Sequence, residues 1–196
     1  MKRSILARPA LLARLPLAAA LLIATAARAD EARPLLLALD KGEISYTVVH
    51  KLHQVTGTTR KLEGLARLQP GAPTLVQVRA PVASFDSGNS NRDAHMREAT
   101  REPLHPFAEV KGTLPPLTLP LSGPQDLTLD ARVELNGESE RQTIPVTLTP
   151  EGSGIRAKFS FPVSLDAHKV ERPELLLVKV DDKMTIEGNL LFEARQ

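Results

Sequence analysis

The chain of 196 residues contains no cysteine and no tryptophan, and only one tyrosine, Tyr46. Without cysteine there is no disulfide, no thiolate metal site and no cysteine nucleophile. In an oxidising compartment its stability must therefore come from packing alone. It also lacks an apolar run long enough to cross a membrane as a helix. The run LPLAAALLIATA, 15 to 26, has 12 residues, against the roughly 20 that a spanning helix needs. A strong charge of one sign is missing as well. The formal net charge is +2, and it becomes mildly negative once the basic leading segment described below is removed, which gives no electrostatic case for nucleic-acid binding.

What is there begins with a sorting signal. Lys2, Arg3, Arg8 and Arg14 precede or flank the apolar run, and Ala27-Arg28-Ala29 follows it directly before Asp30. Basic residues, an apolar stretch and a small-x-small site, in that order, predict a cleavable signal peptide over 1–29 and a periplasmic protein. No cysteine follows the cleavage site near Ala29, so no lipid anchor and no stable membrane span is expected after cleavage. The segment carries five basic residues and no acid, so its loss takes the net charge from +2 to −3. Residues 30–196 are one domain's worth of chain.

That domain alternates apolar and polar residues almost throughout. EISYTVVH (43–50) places Ile44, Tyr46, Val48 and His50 on one face, and TTRKLEGLARL (58–68) does so with Leu62, Gly64, Ala66 and Leu68. The pattern repeats at 74–85, 126–135, 141–148, 154–163 and 183–194, with a less regular segment at 106–114. QPGAP, NGES and TPEGSG read as hairpin loops. LPPLTLPLSGP (114–124) is a connection, because its four prolines cannot donate to a ladder. Eight strands joined mostly by hairpins predict one antiparallel sheet closed into a barrel, or a sandwich.

The inward positions are small: Gly64, Ala66, Ala80, Ala131, Ala157 and Gly188. A barrel of eight strands either fills its interior with side chains or holds one small ligand. Two interiors follow, a tunnel for an apolar molecule and a compact filled core.

One stretch breaks the alternation: SGNSNRDAHMREAT, 87 to 100. Ser90 and Asp93 fit the S-x-x-D form of a helix N-cap box, and predict a short helix at about 90–99. Asp93 and His95, two apart on a helix, point to different sides, so they do not form a base with its orienter. Ser87 and Ser90 lack a G-x-S-x-G elbow. The five histidines, His50, His53, His95, His105 and His168, form no H-x-x-x-H pair. No catalytic residue, metal site or cofactor is assigned. Arg92 and His95 suit an anion near a helix N-terminus.

The residues Asn89, Arg92, Asp93, His95 and Met96 of FDSGNSNRDAHMRE resemble a pattern of the YceI-like family. EISYTVVHKLHQVTG resembles that family's first strand, through His50, Val55 and Gly57, and FSFPVSLDAHKVERPELLLVKVDDKMTIEGNLLFEA resembles its C-terminal end. The chain departs from the family in EATREPLHPFAEVKG, where His105-Pro106 stands in place of a common Tyr-Pro. The resemblance implies an all-β, eight-stranded antiparallel lipocalin-like barrel that is exported and binds polyisoprenoid chains, such as isoprenoid quinones or prenyl pyrophosphates. The protein is accordingly expected to be a non-enzymatic module holding an isoprenoid-like or other long apolar or amphiphilic molecule; a homodimer is compatible with this. The expected wall is Tyr46, Val48, Val78, Leu129, Phe159, Phe161 and Ile186, with Arg92, His95 and Met96 at the mouth. The alternatives are a ligand-free structural barrel and, after it, a metal- or histidine-dependent enzyme.

Overall fold

The computed structural model describes residues 33–50, 53–172, 174–175 and 178–195. The expected signal segment, 1–29, lies outside the described residues. The strands are β1 (Leu35–His50), β2 (His53–Thr59), β3 (Glu63–Leu68), β4 (Thr74–Pro81), β5 (Phe107–Leu114), β6 (Gln125–Leu135), β7 (Glu138–Glu151) and β8 (Gly154–Ser164), then the short β9 (Glu174–Leu175) and β10 (Val178–Lys179), and β11 (Lys183–Ala194). Among the described residues there is one helix, α1 (Ser90–Ala99), and it follows a 3-10 turn at Val82–Ser84.

Each long strand pairs antiparallel with its neighbour in the order β11-β8-β7-β6-β5-β4-β3-β1, and β1 also pairs with β11, which closes the sheet. β2 and β3 lie on the same edge of β1: Ile44 opposes Thr59, and Ala38 opposes Leu65. Together they form one bent strand of the barrel. The result is a closed antiparallel barrel of eight strands, as the alternation required once a sandwich is set aside.

β1 begins eight residues earlier than the alternation indicated. The ladder to β11 shifts between Leu39 and Lys41. The extra residue moves the inward set from odd numbers (Leu37, Leu39) to even ones (Ile44, Tyr46, Val48). A bulge of this kind hides a strand from any period-2 reading. The break at 60–62 in the neighbouring bent strand makes the matching change, from Val55, Gly57 and Thr59 to Gly64, Ala66 and Leu68. The predicted strand 74–85 is also shorter, because the 3-10 turn takes Val82–Ser84. The β9–β10 hairpin went unrecognised in the sequence.

The two ends of the barrel differ. At one, the proline-rich connection between β5 and β6 buries Leu121 and packs Leu117 and Leu119 on the core. At the other lie α1, the His50 and His53 ends of β1 and β2, the β6–β7 turn and the residues that follow β8. The β6–β7 turn is an Asn-Gly pair with positive φ at both residues, 56° at Asn136 and 77° at Gly137, the geometry that two-residue hairpins favour.

At this second end Asp182 fastens the β8–β11 connection. Its carboxylate accepts from the Asp166 N–H at 2.8 Å and from the Ser164 hydroxyl at 3.0 Å. The backbone hydrogen bond is the main reason its pKa lies below the ordinary aspartate value of 3.8; desolvation opposes the shift and the Ser164 hydroxyl adds to it. A carboxylate with a lowered folded pKa stabilises the fold above its unfolded value, and that stabilisation is lost as pH falls through the folded value. Thermal unfolding followed from pH 7 to 3 should therefore show a smaller acid-induced drop in Asp182→Asn than in the wild type, with the two curves converging below pH 3.8.

Candidate functional site

The barrel encloses a cavity of about 660 Å³, within the range of small-molecule sites. The inward faces of the strands build it. Tyr46 and Val48 from β1, Val78 from β4 and Leu129 from β6 lie on its wall, as do Phe159 and Phe161 from β8 and Ile186 from β11. The structure thus brings all seven expected wall residues to one space. Arg92, His95 and Met96 of α1 line the same cavity, joined by His50 at the end of β1, His53 at the start of β2 and Glu171. Polar side chains gather at the helix end, and Leu37, Leu68, Leu114, Leu117 and Leu148 line the proline end together with Thr74.

The small inward residues do not all enlarge the cavity. A Cβ on Gly188 would overlap the ring of Phe159, its direct partner across the β8–β11 ladder. A Cβ on Gly57 would overlap the Tyr46 ring, again from the opposed position. Gly64 is covered by Leu39 and Phe192. Glycine at these places seats a neighbouring side chain flat against the sheet. Gly64 and Gly188 were expected to leave volume; they are filled instead. Ala66, Ala80 and Ala157 do line the cavity.

α1 also differs in detail from its sequence reading. Its N-cap is Asn89, not Ser90: the Asn89 side chain accepts from the N–H groups of Asn91 and Arg92 at 3.1 Å each. Asp93 is buried and accepts from the N–H and hydroxyl of Ser87 at 3.0 and 2.6 Å. It therefore fixes the turn before the helix and does not close a capping box. Arg92 donates to the Ser87 carbonyl at 2.8 Å through one arm of its guanidinium and stays exposed.

Tyr46 sits beneath this turn, with its ring 5.5 Å from that of Phe85. Burial raises its phenol pKa, the Asp93 charge raises it further, and Arg92 acts against both. The phenol is thus neutral at physiological pH and able to donate. Phe85 and Thr74 also line the cavity and were missed as site residues. Phe85 escapes the alternation because the 3-10 turn re-aims it. Thr74 is polar, and its place on the inward parity of β4 was the only sequence signal for it. Among the described residues no three His, Asp or Glu side chains converge as metal ligands.

A rim of hydrogen bonds holds the helix end. Arg101 donates to the side-chain and backbone oxygens of Asn136 at 2.7 and 2.9 Å. The Asn136 amide donates to the carbonyls of His168 and Lys169, both at 2.9 Å. Three connections are joined by this one buried side chain.

A closed barrel of eight antiparallel strands around an apolar cavity defines a lipocalin-like protein. The family model described as the YceI-like domain matches residues 37–192, and the chain belongs to that family. Solved structures share the fold at low identity. BcnA of Burkholderia cenocepacia is 20% identical with a TM-score of 0.65, covering 76% of this chain and 95% of that one. A polyisoprenoid binding domain from Saccharophagus degradans, implicated in plant cell wall breakdown, is 15% identical with a TM-score of 0.67, over 82% and 99%. The YCEI protein of Campylobacter jejuni is 11% identical with a TM-score of 0.56, over 76% and 89%. No curated protein matches the chain.

Proposed function

We propose that this protein is an exported carrier that holds a long apolar or amphiphilic molecule, of isoprenoid-like chemistry, inside the barrel. The observation that carries this reading is the cavity of about 660 Å³, walled mostly by aliphatic and aromatic side chains, with Arg92, His95, His50 and His53 also on its lining. An apolar space of this size forfeits packing energy in an empty protein, and an apolar guest recovers it. The fold is shared with a domain described as polyisoprenoid binding. Arg92 and His95 stand where an oxygen-rich head group would leave the mouth, and Met96 adapts to the chain beside it. The basic and apolar text of 1–29 supports export to the periplasm.

A space-filling core would leave no room for a guest, so the cavity favours the carrier over a purely structural barrel. Titration with an isoprenoid quinone, followed by fluorescence quenching of Tyr46, tests the proposal. Saturable binding is expected, at least tenfold weaker for the same head group without its chain. Equal binding of the two would place recognition outside the cavity and sink the reading.

A further inference from the structure

Thr74 is 1% exposed and opens β4 on the inward face of the barrel. Its Oγ1 is buried and has no hydrogen-bond partner among the described residues. It lies on the cavity wall at the proline end, directly opposite Leu114 in the ladder. Leu37, Leu68, Leu117 and Leu148 complete that end of the wall. A hydroxyl in such surroundings is destabilising relative to a methyl of the same shape unless something pairs with it. Valine has the same branching and strand preference, so neither shape nor propensity requires the oxygen.

From this we infer a second polar contact at the proline end of the cavity: the guest carries an oxygen, hydroxyl or carbonyl, at the end that lies there, and Thr74 hydrogen-bonds it. The inference rests on the carrier reading and narrows the guest from an apolar chain to one with oxygen at its far end. Reach is sufficient. Thr74 and Ala80 lie six positions apart, toward opposite ends of β4, about 20 Å of strand at ~3.3 Å per residue, a span suited to a long chain.

Palmitate and ω-hydroxypalmitate, titrated into the full mature chain, provide the test, with Thr74→Val and Thr74→Ser beside the wild type. The wild type should bind the ω-hydroxy compound about tenfold more tightly, the weight of one buried hydrogen bond. Thr74→Val should lose that preference and melt about 2–4 °C higher without ligand. Thr74→Ser should keep the preference. Equal wild-type affinities, or a preference that survives in Thr74→Val, would overturn the inference while palmitate binding leaves the carrier reading standing. Failure of both fatty acids and of the isoprenoid quinone to bind would overturn the two together.

Discussion

Val78→Trp should abolish uptake of an apolar ligand, lowering affinity by at least about a hundredfold, and leave the barrel folded. Val78 is buried midway along β4, between Gly64 and Val110 in the ladders on either side. Its side chain points into the cavity. In a filled core an added indole would force neighbours off their rotamers and cost about 1–3 kcal/mol or more. Here it enters free volume, so the penalty is small and the gain in buried apolar area offsets it. The variant therefore separates two interiors that strand alternation alone left equal. Circular dichroism and thermal melting close to the wild type, together with lost ligand binding, are expected. A melting point lowered by ten degrees or more would mean that the space around Val78 is already occupied by protein.

The second large effect is on stability. Asn136→Ala should cost about 3 kcal/mol and lower the melting temperature by about 6–12 °C. Asn136 is wholly buried, and its side chain makes one hydrogen bond from Arg101 and two to the carbonyls of His168 and Lys169. Alanine leaves two carbonyls and one guanidinium arm without their partner in a place water reaches poorly. Its φ of 56° is a conformation that asparagine tolerates better than alanine. Asn136→Gly separates the causes: it relieves the backbone but still loses the amide, so it should recover about 1 kcal/mol of the loss at most. Complete recovery in the glycine variant would assign the whole effect to the turn and none to the rim.

The barrel was legible because its strands keep one apolar face, and all seven expected wall residues share that face. Period-2 arguments failed where the backbone departs from period 2. The bulge between Leu39 and Lys41 concealed the first half of β1, and the 3-10 turn at Val82–Ser84 re-aimed Phe85 into the cavity. Glycine was misread for a different reason. Gly188 is a small residue in sequence, but its partner across the ladder is Phe159, and only the register shows that the ring occupies the place. The helix was visible from its caps, yet the cap moved one residue, to Asn89, because Asp93 turns back to Ser87. The rim at Asn136 was not visible at all. NGES announces a turn, and nothing local announces that Arg101 and the carbonyls of His168 and Lys169 converge on it from far along the chain.

Native mass spectrometry of the protein purified from its own host, under conditions that keep non-covalent complexes intact, tests the central claim most directly. The account predicts a mass above that of the polypeptide, released on denaturation as a long-chain apolar or amphiphilic compound and absent from Val78→Trp prepared in the same way. A wild-type protein that flies at its bare polypeptide mass, and still takes up no isoprenoid quinone or long-chain fatty acid when these are added, would contradict it.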